Sequence, residues 1–343
     1  MVRRCRYLFS QKPMALFPYQ TQDVAPQAEL PWNITQVNAP SFWQKTKGDG
    51  VVVAIIDTGL DVSHAEFAGR IVAGRNFTTD SAADADGHGT NVAGIIGGAN
   101  TGVAPGCRIM PLKVFGSGNG FAFQDAFRYI REYNSKAADA DKVVAVNCSW
   151  GGSYDPVIHY IIRELVNEGV GVIVSAGNAG DGDPETSEIW NWPGFLWEPI
   201  TVGALNQDGQ PAGYSSSYDG IDLGAPGTLI YSAWPGGGYK LLSGTSMAAP
   251  HVTGAYALLV AAFKQREGRL PRGDEVECIL FKHIKATGAD ERLSGTGILD
   301  LTYETKRWPL YRVQTGAFYN EAGADTTKES LVVAGFSAYK VRY

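Results

Sequence analysis

A chain of 343 residues with 44% hydrophobic and 19% charged side chains is long and apolar enough to bury a substantial core, which excludes a disordered protein. Its 35 acidic and 29 basic residues leave a formal net charge of −6, and beyond the short run Arg3-Arg4-Cys5-Arg6 no basic cluster offers a phosphate-binding surface, so no nucleic acid partner is expected. The 42 glycines and 17 prolines imply a loop-rich fold with many tight turns.

In chain order, the basic first residues are followed by an apolar stretch that Ser10, Gln11, Lys12 and Pro13 interrupt, so it falls short of a secretory signal. No segment reaches the ~18 uninterrupted apolar residues of a membrane helix, and the expectation is a soluble, cytoplasmic protein with no membrane contact. Residues 1–28 read as an extended arm. Val51-Val52-Val53-Ala54-Ile55-Ile56 is a continuous, mostly β-branched apolar run, as in a parallel-sheet strand buried on both faces, and it stops abruptly at Asp57-Thr58-Gly59. Val143 to Cys148, Val170 to Ser175 and Ile200 to Leu205 repeat the pattern, each after a stretch long enough for a crossover. Between them, Pro156 to Glu168 carries Val157, Ile158, Ile161, Ile162, Leu165 and Val166 at helical spacing and stops before Gly169. Alternating strands and helices predict an α/β fold with a mostly parallel central sheet and helices on both faces. Sites in such sheets lie beyond the carboxyl ends of strands, which directs attention to Asp57, Asn147 to Ser149, and Asn178. Cys5, Cys107, Cys148 and Cys278 form no CxxC pair and read as buried free thiols.

Three segments carry candidate chemistry: Asp57-Thr58-Gly59, Asp86-Gly87-His88-Gly89-Thr90-Asn91-Val92-Ala93-Gly94, and Gly244-Thr245-Ser246-Met247-Ala248-Ala249-Pro250-His251-Val252. Acyl transfer needs an exposed hydroxyl, an imidazole to take its proton, and a buried carboxylate to fix the imidazole tautomer. Spacing alone does not require the three to meet, and a lone Asp, His or Ser is usually structural. His251 competes with His88 as a base, but one helical turn beyond Ser246 it is expected inside the helix packing.

Together the segments resemble the motifs of subtilisin-like serine proteases, in that family's chain order of Asp, His, Ser. The similarity runs from about Glu29 to Leu301 and implies a subtilisin-like three-layer fold with a catalytic triad of Asp57, His88 and Ser246. It also implies that Ser246 opens a buried helix, Ala248 to Lys264, whose N-terminus favours developing negative charge. Ser175-Ala176-Gly177-Asn178 resembles the oxyanion segment, with Ala179 where many relatives have Glu; an Asn in a turn after a strand would look the same. Ser149-Trp150-Gly151 and Gly118-Asn119-Gly120 resemble the two segments that clamp a peptide by strand addition. Asn191-Trp192-Pro193 resembles the base of the S1 pocket, with Asn191 as floor and Ala176 and Gly177 as walls. No carboxylate stands there, which implies a broad preference for uncharged or apolar P1 residues. Trp190, Trp192, Phe195 and Trp197 either narrow that pocket or pack the core.

The loop Gly97 to Pro105 is too short for the calcium loop of extracellular relatives, and Glu66 stands where the family usually supplies Asp. Calcium is instead expected, as a structural ion, at Gly180 to Thr186, where Asp181, Asp183 and Glu185 could supply oxygen ligands; a solvated acidic turn reads equally well. Ala15-Leu16-Phe17-Pro18-Tyr19-Gln20 resembles the short arm of intracellular subtilisins, which implies that Leu16, Phe17, Pro18 and Tyr19 cross and block the site until proteolysis removes them. Translation could also start at Met14. The tail resembles the first half of a SPOR domain, a peptidoglycan-binding module, and is expected to pack, dimerise or contact glycan. The expected organisation is therefore an inhibitory extension at 1–28, a peptidase domain at 29–304 and a tail at 305–343. Protein or peptide substrates and a homodimer are the expected partners. A catalytically silent scaffold that binds a regulatory partner, and a peptidoglycan-associated protein directed by its tail, are the competing readings.

Overall fold

The computed structural model describes residues 13–27, 29–118, 120–186, 191–272 and 275–304. Its main sheet has nine strands in the order β11-β12-β8-β7-β6-β5-β2-β4-β3. Its longer strands are β2 (Val52–Asp57), β4 (Arg108–Lys113), β5 (Val143–Cys148), β6 (Gly171–Ser175), β7 (Ile200–Leu205) and β8 (Leu223–Pro226), and its short ones are β3 (Arg75–Asn76), β11 (Ile284–Lys285) and β12 (Ile298–Leu299). All neighbours run parallel except β11 and β12. The expected α/β architecture is present, and the four apolar runs are strands within one residue of their sequence bounds.

Continuous apolar runs are needed because both sheet faces are covered. In β2, Val53 and Ile55 belong to one core cluster and Val52, Ala54 and Ile56 to the other. The first face packs beneath helices His88–Gly97 and Thr245–Glu267; the second packs beneath Ala122–Lys136 and Pro156–Asn167. The Pro156 helix starts as its sequence suggests, with the Asp155 carboxylate accepting from the backbone N–H groups of Val157 and Ile158, and it stops before Gly169 at φ +85°.

The Thr245–Glu267 helix differs from its expected Ala248 to Lys264 bounds. It begins three residues earlier because Thr245 is held through space: its N–H and its hydroxyl both donate to Asn178 Oδ1 at 2.8 Å. It is the helix among the described residues long and apolar enough to cross a bilayer, and 94% of that stretch is buried inside the fold. Cys107 and Cys148 are buried free thiols, and burial pushes the Cys107 thiol up to about 12. Cys278 is half-buried, while Cys5, the expected tail module and Trp190 lie outside the described residues.

A second sheet, β1-β10-β9, is built from β1 (Gln20–Asp23), β9 (Ile230–Trp234) and β10 (Gly238–Ser243). Both pairings are antiparallel, so the N-terminal arm supplies an outer strand to a hairpin that runs directly into Gly244, Thr245 and Ser246.

Candidate active site

Asp57 is the last residue of β2 and is buried, as is His88 at the first position of its helix. His88 Nδ1 meets Asp57 Oδ1 at 2.8 Å, and the same oxygen accepts from the Thr58 N–H at 2.7 Å. With a carboxylate on Nδ1, the proton of the neutral ring sits there and Nε2 is left as the basic atom. Burial alone would depress the His88 pKa; the charge and hydrogen bond of Asp57, reinforced by Asp86 and Asp84, outweigh it and hold the imidazole above its ordinary value.

What presents His88 is a residue that motif matching missed. Asp84 is buried and takes four donors: Gly87 N–H at 2.8 Å and Thr58 hydroxyl at 2.8 Å on one oxygen, Thr90 N–H at 2.8 Å and Thr90 hydroxyl at 2.7 Å on the other. It thereby ties the end of β2 to the first turn of the His88 helix. Gly87 between them has φ +100°, and a Cβ there would lie 2.3 Å from the Trp234 ring, so both conformation and space require glycine. The sequence carried one trace of this arrangement, an acidic residue four positions before His88, with nothing to show that its partners would be threonines on either side of the site.

Ser246 sits in the first turn of its helix, fully buried, with its hydroxyl donating to the Ser149 carbonyl at 3.1 Å. Two residues of the expected peptide clamp face inward instead. The Ser149 hydroxyl donates to the Ser246 carbonyl at 2.8 Å, and Trp150 Nε1 donates to the Ile56 carbonyl at 2.9 Å. Pro250 explains the first contact: as proline it has no N–H to return to the carbonyl four residues earlier, so the Ser246 carbonyl is left for a side chain. Of this segment it is Gly151 that offers its backbone outward. Gly118 is paired with Thr78, and a Cβ on Gly120 would meet nothing within 4 Å.

Asn178 follows β6 and uses its two ends differently. Its oxygen holds Thr245, while its Nδ2 donates to the Pro18 carbonyl at 2.8 Å. Asn191 Nδ2 donates to the Ala176 carbonyl at 2.8 Å and to the Ser216 hydroxyl at 3.2 Å, beneath Gly177, where a Cβ would overlap it at 1.7 Å. Trp192 is buried against Trp150 and belongs to the core, and Phe195 is partly buried where two clusters meet. His251 is also buried, with Nδ1 on the Met247 carbonyl and Nε2 on Asn33 Nδ2, both at 2.8 Å. Burial pulls its pKa down to about 4, and no ring nitrogen remains free for chemistry.

The arm runs past Gly151, Asn178 and His88. Ala15 and Gly151 exchange both backbone hydrogen bonds, at 2.8 and 3.0 Å. The Phe17 ring lies where a Gly151 Cβ would stand, and Leu16 packs against the adjoining core. Pro18 is on Asn178, and the next residue, Tyr19, donates its hydroxyl to Asp86 at 2.7 Å with its ring 5.1 Å from that of His88. Burial and the Asp86 carboxylate hold the Tyr19 phenol well above its ordinary range, so it remains a donor. Consecutive residues of the arm therefore touch the Asn178 side and the His88 side. Consecutive Cα atoms are about 3.8 Å apart, so the two sides face each other across a single peptide unit.

The acidic segment is placed differently from a metal cage. Asp181 accepts from the Thr186 hydroxyl and the Asp183 N–H, Asp183 accepts from the Glu185 N–H, and Glu185 pairs with Arg292 at 2.9 Å. Among the described residues no group of three His, Cys, Asp or Glu side chains could hold a metal. These side chains do not fit a calcium ion as they stand. Glu66, for its part, has its carboxylate taken up by Asn100, Thr101 and Tyr239.

Residues 48–296 match the subtilase family. The chain belongs to that family. The "Intracellular serine protease" of Paenibacillus polymyxa is 36% identical over 309 residues, covering 85% of this chain and 92% of that protein. The "Major intracellular serine protease" of Bacillus subtilis is 36% identical over 301 residues, covering 84% and 93%. "Subtilisin-like protease 7" of Arthroderma otae is 36% identical over 251 residues, covering 70% and 61%. The enzyme is thus a subtilisin-type serine peptidase, as its three motifs imply.

Proposed function

We propose that this subtilase is a cytoplasmic endopeptidase that cleaves proteins through Asp57, His88 and Ser246 and is made with its groove blocked by its own arm. The observation that carries the reading is the hydrogen bond to a peptide carbonyl from Asn178, whose other end holds Thr245, with the following residue packed on His88. In a substrate so placed, Ser246 Oγ attacks the carbonyl carbon while His88 Nε2 takes the hydroxyl proton. Asn178 Nδ2 donates to the oxygen as it becomes an oxyanion. His88 returns the proton to the departing amine, and water repeats the sequence on the acyl-enzyme. Asp57 keeps the ring in the required tautomer. Asn191, Ala176 and Gly177 place no charge at the pocket, which supports an uncharged or apolar P1 residue. The relatives' printed names support the location.

The arm fills the groove. Ala15 pairs with Gly151, the Phe17 ring lies against that glycine, and the carbonyl on Asn178 belongs to Pro18. Pro18 has no N–H and a fixed φ, so the strand is interrupted where a cut would fall. Meanwhile Ser246 Oγ points to Ser149 and makes no hydrogen bond to His88. A fluorophosphonate probe, which labels only an activated serine, tests the reading. Ser246 is expected to label rapidly in the chain trimmed of residues 1–25, slowly in the intact chain, and not in trimmed His88→Ala. Labelling that ignores His88 would sink the triad.

The acid side of the pH profile follows from the charges around His88. The base must be neutral, so kcat/KM rises with pH through the raised His88 pKa. Removing a nearby negative charge disfavours the imidazolium and lowers that pKa. Asp86→Asn in the trimmed enzyme is therefore expected to shift the acid limb to lower pH, and an unmoved limb would separate Asp86 from the base.

A further inference from the structure

With the arm in place, β10 is an interior strand; without β1 it becomes an edge. The β1–β10 register runs Gln20 opposite Ser243, Thr21 opposite Leu242, Gln22 opposite Leu241 and Asp23 opposite Lys240. All four β1 residues are exposed, so what β1 gives to β10 is backbone pairing and one charge contact rather than apolar cover. That contact is Lys240 Nζ to Asp23, 3.2 Å. Lys240 does not swing freely: its ammonium also lies 4.5 Å from the centre of the Trp234 ring, the ring that closes over Gly87 beside His88. The edge is thus continuous with the site at one end, through Ser243, Gly244 and Thr245, and carries a fixed cation at the other.

We propose that β10, freed of the arm, is a docking edge for the leaving-group side of a polypeptide substrate, and that Lys240 selects an acidic side chain there. This inference rests on the proteolytic reading above. The arm supplies the count. With the Pro18 carbonyl on Asn178, a cut would fall between Pro18 and Tyr19, so Gln20 to Asp23 are the second to fifth residues after it. An extended substrate running in the same direction pairs its second to fifth leaving-group residues with Ser243, Leu242, Leu241 and Lys240. Unpaired N–H and C=O groups of an edge strand recruit such a segment without regard to side chains, and Lys240 adds the preference at the fifth. The occupant is an unfolded or loop segment of a protein, since a folded strand cannot supply four free backbone residues in a row.

The test uses the full chain, folded with its arm in place, then nicked at a protease site inserted between Val24 and Gln27 and freed of the arm. Quenched-fluorescent peptides share one sequence up to the second residue after the cut and then either stop or continue to the fifth with Asp or Lys there. Extension is expected to raise kcat/KM by roughly tenfold through the added backbone pairs. Asp at the fifth position should exceed Lys by about two- to fivefold at low salt, with the difference shrinking in 1 M salt and reversing in Lys240→Glu. No gain from extension would overturn the docking edge, and a gain indifferent to the fifth side chain would overturn the role of Lys240. A labelled peptide of residues 13–27, with Asp23 or with Lys there, is also bound to nicked Ser246→Ala. Weaker binding of the Lys peptide supports the edge without turnover, so a nicked chain that binds selectively but cleaves nothing would overturn the proteolytic reading and leave the edge standing.

Discussion

Alanine at Ser246 is expected to abolish casein hydrolysis by the trimmed chain while leaving the fold intact. The Ser246 hydroxyl has one hydrogen bond, to the Ser149 carbonyl, and the helix start is held by Thr245 and Asn178 rather than by Ser246. Removing the oxygen therefore costs little structure, and the melting temperature of Ser246→Ala should stay within about 2–4 °C of the parent. The chemistry has no substitute: His251 is tied to Met247 and Asn33, and Ser149 Oγ is spent on the Ser246 carbonyl. In subtilisin itself, the source of this magnitude, losing the nucleophile or the imidazole lowers kcat about 10⁶-fold. His88→Ala should fall as far, and the double variant little further, because the two act as a unit. A trimmed Ser246→Ala that retains a substantial fraction of activity would point to a different nucleophile.

The second large effect is the release of the arm. Four hydrogen bonds join residues 15–19 to the groove: two between Ala15 and Gly151, one from Asn178 to Pro18, and one from Tyr19 to Asp86. At about 1 kcal/mol net for each, they favour the closed groove by about 4 kcal/mol, which corresponds to roughly 10³-fold in accessible enzyme. The initial rate of casein hydrolysis is expected to rise by that order when residues 1–25 are removed. Tyr19→Phe deletes one of the four and should raise the rate of the intact chain about fivefold. Equal initial rates in intact and trimmed protein would leave the peptidase standing and remove the arm from its control.

Much of this site was legible in the residues because it lies where local chemistry is strongest. A two-face apolar run that ends in Asp57 is readable without neighbours, whereas the helix that opens at Ser246 was implied by the resemblance of its motif and not by the residues alone. What was not legible depends on contacts distant in sequence. The helix starts at Thr245 because of Asn178, 67 residues earlier. The acidic turn spends Glu185 on Arg292, 107 residues later. Ser149 and Trp150 resemble a clamp, yet their side chains are drawn inward by a proline and by the end of β2, leaving only Gly151 exposed to a strand. Asp84 escaped notice because a buried carboxylate is recognised by its donors, and those lie on two different elements.

The way the arm is attached sets how its control responds to dilution. β1 and the catalytic body belong to one chain, so a blocking segment is expected to meet its groove at an effective concentration on the order of millimolar, however dilute the protein. Once the chain is cut between them, the released segment returns only at its bulk concentration. The same contacts, those four hydrogen bonds and the β1–β10 pairing, are then expected to hold only a separate peptide. On the proposed blocking role, the intact enzyme is expected to be silenced equally at every concentration, whereas the cut enzyme is expected to be inhibited by its own fragment in a concentrated preparation and freed by diluting it.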